Sequence, residues 1–330
     1  MPVATDILTA SEPQLIERAA ALLRLDELVA FPTETVYGLA ANGISAEAVA
    51  KIFAAKGRPA DNPLILHVAS IEQALLLWQA SSLQIHRARA LAAVHWPGAL
   101  SLVLPAAEFI PTEVTAGLGS VAVRVPSHPI AQALLRLCEF PLAAPSANLS
   151  GRPSPTTASH VQKNLKGKIS AILDGGTTNV GIESTVLDLR PEQPRILRHG
   201  GISINAIEQV IGPISNSGST EDAASPGLRH RHYQPDGIEI ELLDAETLRG
   251  LRGSDSGIVC RPELASQLKG RVAPLWVLPD SAAKYAAVLY KTLYQIEESG
   301  VSKVLVELPP ENGEWAAILD RLRRAAGKES

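Results

Sequence analysis

Two cysteines in 330 residues leave no material for a disulfide framework or a cysteine-rich metal knuckle. Cys138 and Cys260 each lie inside an apolar stretch and are expected to be buried packing residues. Positive charge is also short: 30 Lys and Arg stand against 34 Asp and Glu, a net charge of −4. A chain whose main work was gripping nucleic acid would carry a basic surplus, so direct RNA binding is expected to be weak or absent. No apolar run approaches the roughly 20 residues a membrane helix needs. The first twenty residues carry Asp6, Glu12 and Glu17, where a secretory signal would have a basic start and an apolar run. The expectation is a soluble, cytoplasmic chain with no membrane partner. The P-loop pattern is missing too, which removes that route to ATP. A GxGxxA pattern at Gly117, Gly119 and Ala122 precedes a strand where a dinucleotide fingerprint would follow one, and it reads as a turn.

A chain of this length favours two domains. Residues 11–25 repeat apolar positions at helical spacing, with Ser11 as N-cap. LVAFPTETVYGLA opens as a buried strand and breaks into polar and glycine residues. Residues 46–56 form a helix that stops at Gly57. Strands are predicted at 64–68, 100–104, 121–125, 140–144, 170–173, 184–189 and 195–198, with helices at about 71–79, 82–94, 128–138 and 155–165. This is an α/β domain around a mixed sheet. Periodicity vanishes over 212–227, a stretch of Gly, Ser, Pro and Asn that marks a linker. Beyond it, strands alternating with helices predict a small parallel, doubly wound domain over 238–330.

Several segments admit both a functional and a structural reading. Lys56 and Arg58, in Lys56-Gly57-Arg58-Pro59-Ala60-Asp61-Asn62-Pro63, could offset a helix dipole and sit in solvent. Held in a loop stiffened by two prolines, they equally suit a polyphosphate. Arg124, inside the strand VAVRV, is either an outward residue or a guanidinium set to clamp a carboxylate. His67 is by default a satisfied structural histidine. In PLAAPSANLSGRPSPTT a strand runs into Ser146, Asn148, Ser150 and Gly151, and Ser154 caps a helix starting at Pro155. That arrangement is an anion cradle or an ordinary loop and cap. Gly175-Gly176 and Gly200-Gly201 pass as turns, and His230 with His232 makes a poor metal site.

The order of these segments is more specific than any one of them. FPTETVYGLA, AKGRPADNPLILHV, WPGALSLVLP, VAVRVPSHP, AAPSANLSGRPSPT, LDGG, GIESTVLDL and ILRHGG together resemble the YrdC-like family. SPGLRHRHYQPD resembles the linker signature of its two-domain members. The resemblance implies a YrdC-like catalytic domain with a twisted mixed sheet over 1–211, a linker at 212–237 that closes over the site, and a smaller Rossmann-like domain over 238–330. It also implies a nucleotidyltransferase that consumes ATP, L-threonine and bicarbonate. N-carboxythreonine would attack the α-phosphorus, giving threonylcarbamoyl-AMP and pyrophosphate, with the product passed to a tRNA threonylcarbamoyl-transfer complex. By this resemblance threonine is held by Thr35, His67, Arg124, Ala144 and Ser184. ATP is held by Arg58, Asn62, Ser120, Ser146, Ser154, Arg198 and Tyr233. Lys56, Arg58, Ser146 and Asn148 match the family's Lys, Arg, Ser and Asn tetrad. Mg2+ would arrive with ATP; Asp61, Asp174 and Glu183 are each as easily structural, so no protein ligand of a metal is assigned. The chain departs from the family at His199, which replaces a proline beside Arg198, and at Leu228 and Gln234 in the linker signature. A double-stranded RNA-binding module and a regulatory nucleotide-binding protein are the competing readings.

Overall fold

Alternation along the strands decides which side chains reach the site, because successive residues of a strand face opposite sides of the sheet. The computed structural model describes residues 4–215, 233–251, 256–268 and 274–327. Two units emerge. The first comprises residues 1–150, 155–179 and 183–229; the second comprises 151–154, 180–182 and 230–330.

In the first unit, ten strands form one sheet. They are β1 (Asp6–Thr9), β2 (Val29–Phe31), β3 (Gly38–Asn42), β4 (Ile65–His67), β5 (Leu100–Pro105), β6 (Ser120–Arg124), β7 (Leu142–Ala143), β8 (Ala171–Asp174), β9 (Thr185–Asp188) and β10 (Arg195–Arg198). Their spatial order is β1-β8-β2-β3-β7-β4-β6-β5-β9-β10. Parallel pairs such as β4 with β6 sit beside antiparallel pairs such as β5 with β6, so the sheet is mixed. Its helices are α1 (Pro13–Arg24), α2 (Ala46–Lys56), α3 (Ile71–Leu76), α4 (Ser82–His95), α5 (Thr112–Thr115), α6 (Pro129–Cys138), α7 (Ala158–Leu165) and α8 (Ile204–Ile211). Leu66, Val121 and Val123 join the large core that includes Ile52 of α2 and Leu91 of α4. Val29, Phe31 and Ala40 pack with Leu23 of α1 and Leu134 of α6 in a second core. The alternate residues of β4 and β6, Ile65 and Ala122, belong to a small apolar cluster with Val103, Val186 and Leu197. By the same alternation His67 and Arg124 share that face, away from the large core.

In the second unit, β11 (Glu239–Leu243), β12 (Gly257–Cys260), β13 (Leu275–Val277) and β14 (Lys303–Glu307) form an all-parallel sheet ordered β11-β14-β12-β13. The helices α9 (Ala245–Gly250), α10 (Pro262–Leu268), α11 (Ala282–Ser299) and α12 (Ala316–Ala325) alternate with its strands, as expected of a small doubly wound domain. Both cysteines are buried, and burial pushes their thiols up to about 12. Among the described residues, no helix is long and apolar enough to cross a membrane.

Several sequence expectations change. PTETVY breaks the strand after Phe31 as expected, but the chain then returns as β3, which was not anticipated, antiparallel to β2 with Phe31 opposite Gly38. α1 starts at Pro13 without a side-chain cap, so Ser11 caps nothing. The predicted strand at 140–144 shrinks to the two residues of β7. The helix expected from Pro155 begins at Ala158, capped by Thr157, whose hydroxyl accepts the His160 N–H. Pro155 and Thr156 are taken elsewhere: their carbonyls accept from Tyr37 N and Thr178 N. Ser154 therefore caps no helix, and a cradle made by such a cap is withdrawn. β1, α5 and α8 were not anticipated. Most of the linker, including His230, His232 and Leu228, falls outside the described residues.

Candidate active site

The loop Pro32–Tyr37, between β2 and β3, is buried throughout. Loops ordinarily run over the surface, where water satisfies their polar groups; this one turns Thr33, Glu34 and Thr35 inward. Thr33 Oγ1 donates to Val36 O at 2.7 Å and lies 2.8 Å from Thr35 Oγ1. With the Thr33 proton so committed, the Thr35 hydroxyl is the donor in that pair. Arg124 Nη1 donates to Thr35 Oγ1 at 2.9 Å. One lone pair on Thr35 then remains for a ligand donor.

Arg124 ends β6 and is 3 % exposed. Its Nε donates to Gly98 O at 3.0 Å, and Nη2 lies 2.6 Å from Glu34 Oε1. That last contact is a close, buried ion pair. Burial alone would raise the Glu34 carboxyl, but the Arg124 guanidinium and backbone donors outweigh it and hold it below its usual value. The outward reading of Arg124 is overturned, because every residue of β6 is buried.

His67 stands opposite Arg124 in the register of β4 and β6, at the carboxyl end of two parallel strands, where α/β sheets place ligands. Its Nδ1 lies 3.2 Å from Ile65 O. Burial first, and then the Arg124 charge, bring its pKa to about 3, so the ring is uncharged at neutral pH. Ala144 N donates to the same Ile65 carbonyl at 3.0 Å. Ser184 lies just before β9. Its Oγ is 2.8 Å from Ser101 Oγ, and Arg198 Nη2 donates to its carbonyl at 3.0 Å and its hydroxyl at 3.2 Å. Gly200 sits so close behind this residue that a Cβ there would lie 2.3 Å from Ser184 C. Glycine is required at that position by the close approach of backbone.

Lys56, the last residue of α2, is buried, and its Nζ donates to the carbonyls of Ser146 and Asn148. Burial, then the charge of Arg58, lowers its pKa well below the usual lysine value. The solvated reading of Lys56 fails; its ammonium ties the 146–148 loop, with a third N–H left for a ligand. Arg58 is half-buried and donates through Nη2 to Asn62 O at 3.3 Å and Pro63 O at 3.1 Å. Asn62 and Asn148 are buried.

The expected threonine residues Thr35, His67, Arg124 and Ala144 thus converge at the ends of β4 and β6. Lys56, Ser146 and Asn148 form a second knot, and Ser184 is tied to Arg198. Ser120 stands apart: it begins β6, about 13 Å along the strand from Arg124, and accepts from Arg190 Nη1 at 3.2 Å. Ser154 and Tyr233 fall in the second unit. There Tyr233 is buried against Tyr290, ring centroids 5.5 Å apart, with the Arg321 guanidinium 5.6 Å above it. Sequence reasoning missed Glu34, Thr33, Ser101 and Gly98. Glu34 stood in a quoted motif, yet nothing local signals that a carboxylate will be buried against the arginine of a distant strand.

The Sua5/YciO/YrdC family model, described as telomere recombination, matches residues 21–200. A second model, described as the threonylcarbamoyl-AMP synthase C-terminal domain, matches residues 202–327. The threonylcarbamoyl-AMP synthase of Pyrococcus abyssi is 43% identical, with 94% of each chain covered. That of Bacillus subtilis is 44% identical, over 98% of this chain and 96% of its own. The crystal structure of Pyrococcus abyssi Sua5 complexed with L-threonine superposes with a TM-score of 0.87 at 40% identity, covering 100% of this chain and 98% of that one.

Proposed function

The chain belongs to the Sua5/YciO/YrdC family, and from that premise we propose that it joins L-threonine and bicarbonate to the AMP moiety of ATP. The reaction gives threonylcarbamoyl-AMP, pyrophosphate and water. The observation that carries this reading is the buried cluster of Arg124, Thr35 and Glu34 beside an uncharged His67. It offers a fork for a carboxylate and an acceptor for a donor a few ångströms away, which suits an amino acid.

In this reading the Arg124 guanidinium, already oriented by Gly98 O and Thr35, takes the threonine carboxylate. The threonine amine condenses with bicarbonate to a carbamate and releases water. The carbamate oxygen attacks the α-phosphorus of ATP in line, the bond to the bridging oxygen breaks, and pyrophosphate leaves. A carboxylate nucleophile is ionised at neutral pH, so the site needs position and positive charge more than a general base. Lys56, Arg58 and Arg198 supply charge to the phosphate oxygens, while Ser146, Asn148, Asn62, Ser120 and Ser154 supply donors. In this reading Mg2+ would come with ATP and would neutralise charge on its phosphates.

In this reading the catalytic portion is 1–211, the linker is 212–237 and contributes Tyr233 to the nucleotide site, and the small domain is 238–330. The activity is that of the cytoplasm, and its product is an acyl adenylate for a transfer complex that modifies tRNA. The test is pyrophosphate release from ATP with threonine or bicarbonate omitted in turn. Release that requires both establishes the reaction. Release indifferent to threonine overturns it in favour of another acceptor, and ATP binding without release favours a regulatory role.

A further inference from the structure

Strand β5 reads Leu-Ser-Leu-Val-Leu-Pro, and its one hydroxyl, on Ser101, is fully buried. Taking a hydroxyl out of water is unfavourable unless it finds a partner, so a serine in this strand has a polar task. Leu100, Leu102 and Leu104 turn into the large core. Ser101 alternates with them and shares the face of Val103, which packs with Ala122 and Val186. The register that sets Leu102 opposite Val123 continues by one residue to Ser101 and Arg124. On the other side Ser101 stands opposite Val186 of β9, and Ser184 lies two residues before Val186 on the same face. Ser101, Arg124 and Ser184 thus share one side of the run β6-β5-β9, wholly within the first unit.

The hydrogen bonds at this pair of serines do not balance. Arg198 Nη2 donates to Ser184 Oγ at 3.2 Å and occupies one of its two lone pairs. Ser101 Oγ and Ser184 Oγ are 2.8 Å apart, and one proton lies between them. Two hydroxyls bring two protons, so one is left over. Among the described residues, the Ser101 hydroxyl has no partner but Ser184. If Ser184 donates to Ser101, the spare proton is sealed within β5. If Ser101 donates to Ser184, the spare proton sits on the residue that the functional reading assigns to threonine. Only the second arrangement lets a ligand supply the missing acceptor. With Arg198 and Ser101 filling both lone pairs, the Ser184 O–H then has a single direction left.

We propose that Ser101 is a positioning residue that makes Ser184 a dedicated donor to a carboxylate oxygen of the amino-acid substrate. The inference rests on the functional reading above, which gives Arg124 the same carboxylate. A carboxylate accepts and does not donate, so it completes the set that two hydroxyls and a guanidinium leave one acceptor short. Ser101 does not touch the substrate; it acts through Ser184.

The test is L-threonine binding to the full chain by calorimetry, with KM for threonine and for ATP, in Ser101→Ala, Ser101→Val and Ser101→Thr. Valine and threonine share a shape and differ in the hydroxyl, so together they separate hydrogen bonding from packing. Ser101→Val and Ser101→Ala are expected to weaken threonine binding about three- to tenfold, with the ATP KM within about twofold. Ser101→Thr should bind threonine within about twofold of the unaltered chain. Equal affinities in the valine and threonine variants, or threonine and ATP KM values that rise together, overturn the proposal. If either of those two does not fold, Ser101→Ala decides: a selective loss of threonine affinity supports the proposal, and undiminished affinity overturns it. Threonine binding without pyrophosphate release sinks the reaction alone, and the affinities then judge Ser101. An unaltered chain that binds no threonine overturns both.

Discussion

At the scale of single residues, the site is built by burying charge next to its counter-charge. Arg124 presents a planar fork whose Nε and Nη1 are already spent on Gly98 O and Thr35. Lysine would keep the charge and lose the fork. Arg124→Lys is expected to cost about 2 kcal/mol of threonine binding, some thirtyfold in KM at unchanged ATP KM, as measured by initial rates. His67 makes a prediction about pH. Its folded pKa of about 3 lies below the ordinary 6.5, so the unfolded chain binds the proton more tightly than the folded one. Stability is therefore lost as pH falls below 6.5, by up to about 1.4 kcal/mol per pH unit. Urea unfolding between pH 7 and 5 should show this slope, and His67→Gln should lack that component. Glu34 also has a depressed pKa and loses its stabilisation on acidification, but below the ordinary carboxylate range and hence outside this window. Equal slopes in the two proteins would mean that His67 is not held uncharged in the fold.

At the scale of elements, short connections matter more than the long helices. The true cap of α7 is Thr157, so Thr157→Ala should lower stability by about 1 kcal/mol in thermal or urea unfolding. Gly200 behind Ser184 is a second such point. A methyl group at Gly200 meets the backbone of Ser184 and Thr185, both at 2.3 Å, and neither can rotate away. Gly200→Ala should displace Ser184 and with it the Arg198 donors that rest on it. The expected result is a threonine KM and an ATP KM that both rise; turnover unchanged in folded protein would show that the Ser184–Arg198 tie is dispensable.

At the scale of the molecule, two sheets of different kind share one chain: a mixed ten-stranded sheet and a parallel four-stranded one. The linker proposed at 212–237 makes a prediction for limited proteolysis. Cleavage should fall in that segment and leave two protected fragments. First cuts inside 238–327 instead would count against an independent small domain. The fragment 1–211 should be less stable than the same residues in the whole chain, because its 151–154 and 180–182 pieces, which belong to the second unit, lose the Tyr294 bond to Pro153, the Glu297 pair with Arg152 and the α11 backbone beside Gly181. A lower melting temperature for the fragment is the expected reading.

What the sequence determined by itself was local or ordered along the chain. The alternating strands, the cap at Gly57, the α/β class and the family resemblance all rest on neighbours a few residues apart or on the succession of motifs. Lys56, Arg58, Arg124, Thr35 and Ser184 could be named because those motifs are short and dense. The tertiary structure alone decided which partner each charge has. Glu34 meets Arg124 across 90 positions, Lys56 meets the carbonyls of Ser146 and Asn148 across about as many, and Tyr294 reaches Pro153 across 141. It also decided that Pro155 spends its carbonyl on Tyr37 before any helix begins. Propensity acts over a turn or two of chain, whereas burial and ion pairing act between surfaces that only the folded sheet brings together.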